Sequence, residues 1–257
     1  MDILQKIVDY KRKEVDERKE LFPTALLEKS TYFGGKPVSG IIAEIKRKSP
    51  SKGDINPYVS VERTSIGYMQ AGASALSILT DKEFFGGKNE DLTMARKFNF
   101  CPILRKDFMI DEYQVIEAKS IGADVILLIA AVLSPDEINR LAILAKSLGM
   151  EVLLEVHSVE ELERSINPNI DVIGVNNRNL KTFEVSLQNS IDIIPHIPSE
   201  FVAVSESGIR TVTDISFLKK AGFKGFLIGE NFMTHSRPEI ACKEFIEDIK
   251  RIEKLKS

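Results

Sequence analysis

Gly122-Ala123-Asp124 leads into the apolar run Val125-Ile126-Leu127-Leu128-Ile129. Ser134-Pro135-Asp136-Glu137 then opens a helically spaced apolar stretch that stops at Gly149, and Val152-Leu153-Leu154-Glu155 follows. A serine before a proline in the first turn, with early acids, is a helix start, and a glycine just past the last apolar residue is a stop. The flanking runs are short and unbroken, as strands buried on both faces are. Strand, helix and strand in that order imply a parallel sheet. The same pattern recurs on either side, in the runs ending Glu44-Ile45-Lys46, Ala75 to Thr80, Ile103-Leu104-Arg105-Lys106, Val172 to Asn176, Val204-Ser205-Glu206 and Phe226-Leu227-Ile228-Gly229. Eight such units can close into a single (β/α)8 barrel, the expected fold, in which chemistry gathers where the strands end.

The length of 257 residues suits one barrel, so we read 1–257 as a single domain. Residues 1–40 form an N-terminal extension and connection. Within it, Asp2 to Leu21 places Ile3, Leu4, Ile7, Val8 and Val15 near one helical face, which predicts an extra helix packed on the barrel. Its polar side mixes both charge signs, unlike the basic face of a membrane-surface helix. Ser158 and Thr211 are further expected helix starts, and Gly222 a further stop.

Acidic and basic residues nearly balance, 38 against 35, which argues against a general nucleic-acid binder and favours a small-molecule substrate. The longest apolar run, Val125 to Leu133, falls well short of the roughly 20 residues that span a bilayer, so no membrane segment is expected. The start of the chain reads as lacking a secretion signal, and a cytoplasmic location is expected. Cys101 and Cys242 form no CxxC pair and are read as reduced thiols. His157, His196 and His235 lack ligand-like spacing, and no metal is expected. Protein partners are not legible in the sequence.

Strand residues two apart share a face. Glu44 therefore points with Lys46, Lys106 with Leu104 and Phe108, Glu155 with Leu153, Asn176 with Gly174, and Glu206 with Val204. All can face the barrel axis, which gathers two lysines, three carboxylates and an amide at one mouth. Charges there must be paired or used, because an ion that loses its hydration needs neighbours to replace it. A purely structural ion-pair network is the plain alternative. The turn Lys46 to Gly53 adds cations and hydroxyls, while Ser207-Gly208-Ile209 and Gly229-Glu230-Asn231 follow the seventh and eighth strands, where many barrels bind phosphate through backbone N–H groups. A phosphorylated small molecule is the expected ligand.

These motifs carry a resemblance. Glu44-Ile45-Lys46-Arg47-Lys48-Ser49-Pro50-Ser51-Lys52-Gly53 resembles the first-strand signature of indole-3-glycerol phosphate synthases. Phe84-Phe85-Gly86-Gly87, Leu104-Arg105-Lys106-Asp107-Phe108, Leu153-Leu154-Glu155, Gly174 to Leu180, Ser205-Glu206-Ser207-Gly208-Ile209 and Phe226-Leu227-Ile228-Gly229 follow in the family's order. The resemblance implies a cofactor-independent enzyme of tryptophan biosynthesis that closes the indole ring of 1-(2-carboxyphenylamino)-1-deoxyribulose 5-phosphate with loss of carbon dioxide and water. It implies Lys106 as general acid and Glu155 as the later general base. Glu44 and Asn176 would organise these groups and bind sugar hydroxyls, and Lys46 would meet substrate anions or share the acid role. Which lysine gives which proton is left open by spacing. Ser49, Gly208 and Gly229 match phosphate-binding positions; Pro50 in the first-strand signature, Arg178, Glu206, Ser207 and Glu230 are further site residues; and Phe85, Phe108, Leu127 and Leu227 match the walls around the substrate's aromatic part.

Three departures from commoner members are Lys48, expected to strengthen the positive field at the mouth, Gly86-Gly87, expected to loosen the second loop, and Glu230, whose carboxylate would have to point away from a phosphate. Two other readings compete. In one, Lys106 is a Schiff-base nucleophile of a phosphosugar aldolase. In the other, the barrel is a non-catalytic phosphosugar-binding subunit, although the presence of Glu44, Lys46, Lys106 and Glu155 speaks against it.

Overall fold

A computed structural model describes residues 39–179 and 182–255. The expected N-terminal helix over Asp2 to Leu21, and the connection up to residue 38, lie outside the described residues. Eight parallel strands close a barrel: β1 Ile41–Ile45, β2 Ala75–Leu79, β3 Ile103–Lys106, β4 Val125–Ile129, β5 Glu151–Val156, β6 Val172–Asn176, β7 Val202–Glu206 and β8 Gly225–Ile228. Each strand pairs with the next in sequence, and β8 closes onto β1 with Ile41 opposite Phe226. The (β/α)8 expectation is met, down to the helix Pro135–Ser147 between β4 and β5. Ser134 caps that helix in a reciprocal capping box with Glu137, and Gly149 follows it at φ +69°. Ser158 and Thr211 cap the helices Val159–Ser165 and Val212–Ala221 as expected.

The alternation of the strands sorts their side chains into two cores. Ile41, Ala43, Leu76, Ile78, Ile126, Leu128, Val152, Leu154, Phe226 and Ile228 belong to the larger core, which the helices cover. Leu104, Leu127, Ile129, Leu153, Val204 and Leu227 pack together inside the barrel, with Ile42, Val125 and Val172 against them. Because the period is two, on five of the strands the next inward position falls at the rim, and it is Glu44, Lys106, Glu155, Asn176 or Glu206.

Arg105, pointing outward, is buried. Its guanidinium donates to Thr80 Oγ1 at 3.1 Å, the Gln114 carbonyl at 2.9 Å, Asn89 Oδ1 at 3.1 Å and Glu117 Oε2 at 2.6 Å. That set satisfies a charge that would otherwise be expensive to bury, and it anchors the end of β3 just before Lys106. Cys101 and Cys242 are buried free thiols, and burial pushes both up to about 12, which keeps them protonated and unreactive. Among the described residues no helix is long and apolar enough to cross a membrane.

Candidate active site

The strand ends surround a cavity of about 740 Å³, a size that suits a small organic substrate. Every candidate named from the sequence lines it: Glu44, Lys46, Ser49, Pro50, Phe85, Lys106, Phe108, Leu127, Glu155, Asn176, Arg178, Glu206, Ser207, Gly208, Leu227, Gly229 and Glu230. At its base, Lys106 Nζ sits 2.7 Å from Glu155 Oε2 and 2.7 Å from Glu206 Oε2. Asn176 Nδ2 donates to the other oxygen of Glu155 at 3.0 Å, and Lys46 Nζ pairs with Glu44 Oε1 at 2.8 Å. The strand register explains the convergence, since Asn176 lies opposite Glu206 and Glu155 opposite Gly174.

Two glycines make room for two of the carboxylates. A Cβ on Gly174 would lie 2.2 Å from Glu206 Oε1, and one on Gly229 would lie 2.4 Å from Glu44 Oε1. Neither distance is compatible with a side chain, so glycine is required there by the acids beside it. Gly87 is packed just as closely, with a Cβ there falling 2.1 Å from the Leu79 carbonyl oxygen. The expected looseness of this turn is thus not what its glycine provides. The Lys48 stem lies against Gly86, and Lys48 is not part of the cavity wall.

Burial, neighbours and charge count set the protonation states. Burial alone would lower the pKa of the Lys106 ammonium, but Glu155, Glu206 and Glu44 outweigh it and hold the group protonated well above the ordinary lysine value. Burial likewise pushes the Glu155 carboxyl up, and Lys106, His157 and the bonds from Lys106 and Asn176 more than reverse this, leaving it below the usual range. Glu206 is pushed up to about 7, mainly by burial, with Lys106 opposing and Glu155 and Glu44 reinforcing. Three carboxylates against two ammonium groups leave an excess negative charge in a buried cluster, and a proton taken up near neutrality removes it. Glu206 Oε1 finds no hydrogen-bond partner among the described residues.

Ser49, Ser51, Ser207, Gly208, Gly229 and Asn231 line the cavity together with Arg178. The guanidinium approaches Ser51 Oγ and Glu230 Oε2, each at 3.4 Å, and Lys52 Nζ lies 3.8 Å from Glu230 Oε1. Glu230 therefore turns toward the cations, where the sequence suggested a carboxylate pointing away from any anion. Among the described residues neither cation has another anion as a partner, and the two attract it. Ser207 holds φ +68°, a conformation disfavoured for a side-chain-bearing residue, and Asn177 steadies it by donating to the Ser207 carbonyl at 3.1 Å and to Ser205 Oγ at 2.9 Å. Asn177 in turn accepts from the N–H and hydroxyl of Ser190.

Part of the wall is apolar. Phe85 and Phe108 face each other with ring centroids 6.2 Å apart, and Phe84 and Phe183 stand exposed at the rim. Asp81, Phe183 and Arg210 line the cavity without being singled out from the sequence, because they lie on loops where no periodicity marks which side chains turn inward. His157 was also passed over. It stands just behind Glu155, with Nε2 3.5 Å from Glu155 Oε1. Its signal was present as the two-residue spacing from Glu155 along one strand direction.

A family model described as indole-3-glycerol phosphate synthase matches residues 4–245. A protein of Bacteroides thetaiotaomicron bearing that name is 46% identical, over 96% of this chain and 99% of its own length. One from Caldanaerobacter subterraneus subsp. tengcongensis is 42% identical, again over 96% of this chain and 99% of its own. Among solved structures, thiamine phosphate pyrophosphorylase from Pyrococcus furiosus superposes with a TM-score of 0.60 at 15% identity, over 82% of this chain and 95% of that one, a likeness of fold alone. The closed barrel, the match over nearly the whole length and the two relatives at 46% and 42% identity lead to one assignment: the chain belongs to the indole-3-glycerol phosphate synthase family of carboxy-lyases.

Proposed function

We propose that the protein converts 1-(2-carboxyphenylamino)-1-deoxyribulose 5-phosphate to indole-3-glycerol phosphate, carbon dioxide and water, with Lys106 as general acid and Glu155 as general base. The reading is carried by the position of Lys106, an ammonium held 2.7 Å from two carboxylates at the base of a cavity with one aromatic wall and one cationic corner. The aromatic wall suits the carboxyphenyl ring, and the corner at Arg178, Ser207, Gly208 and Gly229 suits the phosphate. As an aromatic carbon attacks the ribulose carbonyl, the carbonyl oxygen gains charge, and Lys106 stabilises that charge and supplies the proton. After carbon dioxide leaves, the new hydroxyl departs as water, with a second proton from Lys106, while Glu155 takes the proton whose loss completes the aromatic ring. Asn176 holds Glu155 and Glu44 holds Lys46, which is placed for the substrate carboxylate.

The same geometry weighs against the aldolase reading. A Schiff base needs a neutral amine, and two carboxylates keep Lys106 charged. The chain has no Trp, so indole product can be followed by fluorescence against a tyrosine background. The test mixes the protein, chelator and the substrate without added cofactor. Turnover in the wild type and its loss, about a thousandfold or more, in Lys106→Ala and Glu155→Gln would support the assignment. An active Lys106→Ala would remove the acid role, and a covalent adduct on Lys106 after borohydride reduction would revive the aldolase.

A further inference from the structure

We propose that His157 and Glu161 form a proton path that connects Glu155 to solvent outside the substrate cavity, and that this path recharges Lys106 during turnover. The inference rests on the function proposed above and begins from its stoichiometry. The substrate loses a carboxylate as neutral carbon dioxide, and water also leaves neutral, so charge balance requires one proton from solvent in each cycle. Two protons go to the departing oxygen, and one returns from carbon through Glu155. If Lys106 supplies both, the Lys106 and Glu155 pair ends the cycle one proton short.

That proton needs a way in. Lys106, Glu155 and Glu206 line the cavity and are largely buried, and substrate bound as proposed above would separate them from the mouth. From Glu155 the contacts continue to His157 and Glu161. His157 Nε2 is 3.5 Å from Glu155 Oε1, and His157 Nδ1 is 3.3 Å from Glu161 Oε2. Neither His157 nor Glu161 lines the cavity. The Glu161 side chain is 20% exposed, whereas that of Glu155 is 5% exposed, so the series runs from the interior to water.

The local fold holds the series in place. His157 follows β5, and its backbone N–H donates to Glu161 Oε2 at 2.7 Å, which fixes that carboxylate beside the ring. His157 Nε2 is buried and makes no hydrogen bond among the described residues. A buried ring nitrogen facing a carboxylate at 3.5 Å is unusual for a purely structural histidine, which is normally satisfied at both nitrogens. Contacts of this kind often tighten only in the reacting complex. The charged groups facing the ring are Glu155 from its own strand and Glu161 from the helix that follows, with Lys106 beyond Glu155.

The transfer balances without another reactant. Glu161 takes a proton from solvent and passes it to the free Nδ1 of the Nε2–H tautomer, the resulting imidazolium passes one from Nε2 to Glu155, and Glu155 passes it to Lys106 Nζ across 2.7 Å. The ring is left with its proton on Nδ1, and a turn about its Cβ–Cγ bond restores the starting arrangement before the next uptake. His157 acts through Glu155 and does not touch the substrate.

The experiment compares kcat, KM and the solvent deuterium isotope effect on kcat for the wild type, His157→Gln, His157→Ala and Glu161→Gln. Glutamine at 157 keeps a polar group behind Glu155 but cannot relay a proton, so it separates transfer from positioning. Recharging through the path predicts a kcat about tenfold or more lower in His157→Gln, a KM within about twofold of the wild type, a larger isotope effect, and recovery of His157→Ala by added imidazole. Glu161→Gln should move kcat the same way. Wild-type kcat in His157→Gln, or a loss with an unchanged isotope effect and no imidazole rescue, would overturn the relay while leaving the synthase reading intact. An inactive wild type would overturn both.

Discussion

Replacing Glu206 with glutamine should make the protein more stable, by an amount that depends on pH. Glu206 Oε2 lies 2.7 Å from Lys106 Nζ, its other oxygen has no partner among the described residues, and its carboxyl is pushed from 4.5 up to about 7. Between those values the folded protein keeps a proton that the unfolded chain has released, so raising the pH favours unfolding. The stabilisation associated with that proton is fully present below about pH 4.5 and is lost as the pH rises through about 7. At about 1.4 kcal/mol for each pH unit, the gap is worth on the order of 3 kcal/mol. Glutamine matches the neutral acid in shape and never ionises. The stability difference between Glu206→Gln and the wild type should therefore grow by up to that amount from pH 5 to pH 7.5 and then level off. For a barrel of this size the corresponding rise in Tm is on the order of 5–10 °C. Thermal unfolding at closely spaced pH values measures it directly. Glu155→Gln should show a similar trend, because it removes one of the same two like charges, but it should also abolish turnover. A Glu206→Gln difference that is constant across this range, or that shrinks as pH rises, would refute the reasoning.

Glu230→Gln should free Arg178 and Lys52 for an incoming phosphate, lowering KM and the inhibition constant for inorganic phosphate several-fold with kcat little changed; a higher KM would mean that Glu230 is needed to hold Arg178 in place. Gly229→Ala should push Glu44 out of position and lower kcat by about tenfold or more while the fold persists, as circular dichroism and steady-state kinetics would show together. Gly87→Ser should destabilise the protein by about 1–3 kcal/mol in urea unfolding, since its Cβ would meet main chain that has little freedom to move.

The barrel was legible because buried parallel strands leave unbroken apolar runs and helix caps leave Ser-Pro-acid and glycine marks, as at Ser134 and Gly149. The rim was legible for a related reason. Once Leu153 and Val204 are assigned inward, Glu155 and Glu206 must follow, because the strand period is two. His157 obeys the same period but was judged by its spacing from other histidines, a test for metal ligands that says nothing about a neighbour of Glu155. The hold of Glu230 on Arg178 depends on contact between loops about 50 residues apart, and the packing of Gly87 on Leu79 depends on how a loop folds back over its own strand. Neither follows from a local pattern. The protonation of Glu206 needed burial and three neighbouring charges, none of which a sequence displays singly.

Gly174 with Glu206, and Gly229 with Glu44, each occupy one shared space, so the cost of changing either residue is set by the other. A methyl group at position 174 should cost less once the side chain at 206 is shortened, although it would still meet Leu153 Cδ2 at 2.8 Å, so the two changes should be non-additive in a double-mutant cycle. Mutational paths through this site should therefore run in coupled pairs, and a library that varies the acids while holding the glycines constant would sample only half of each pair.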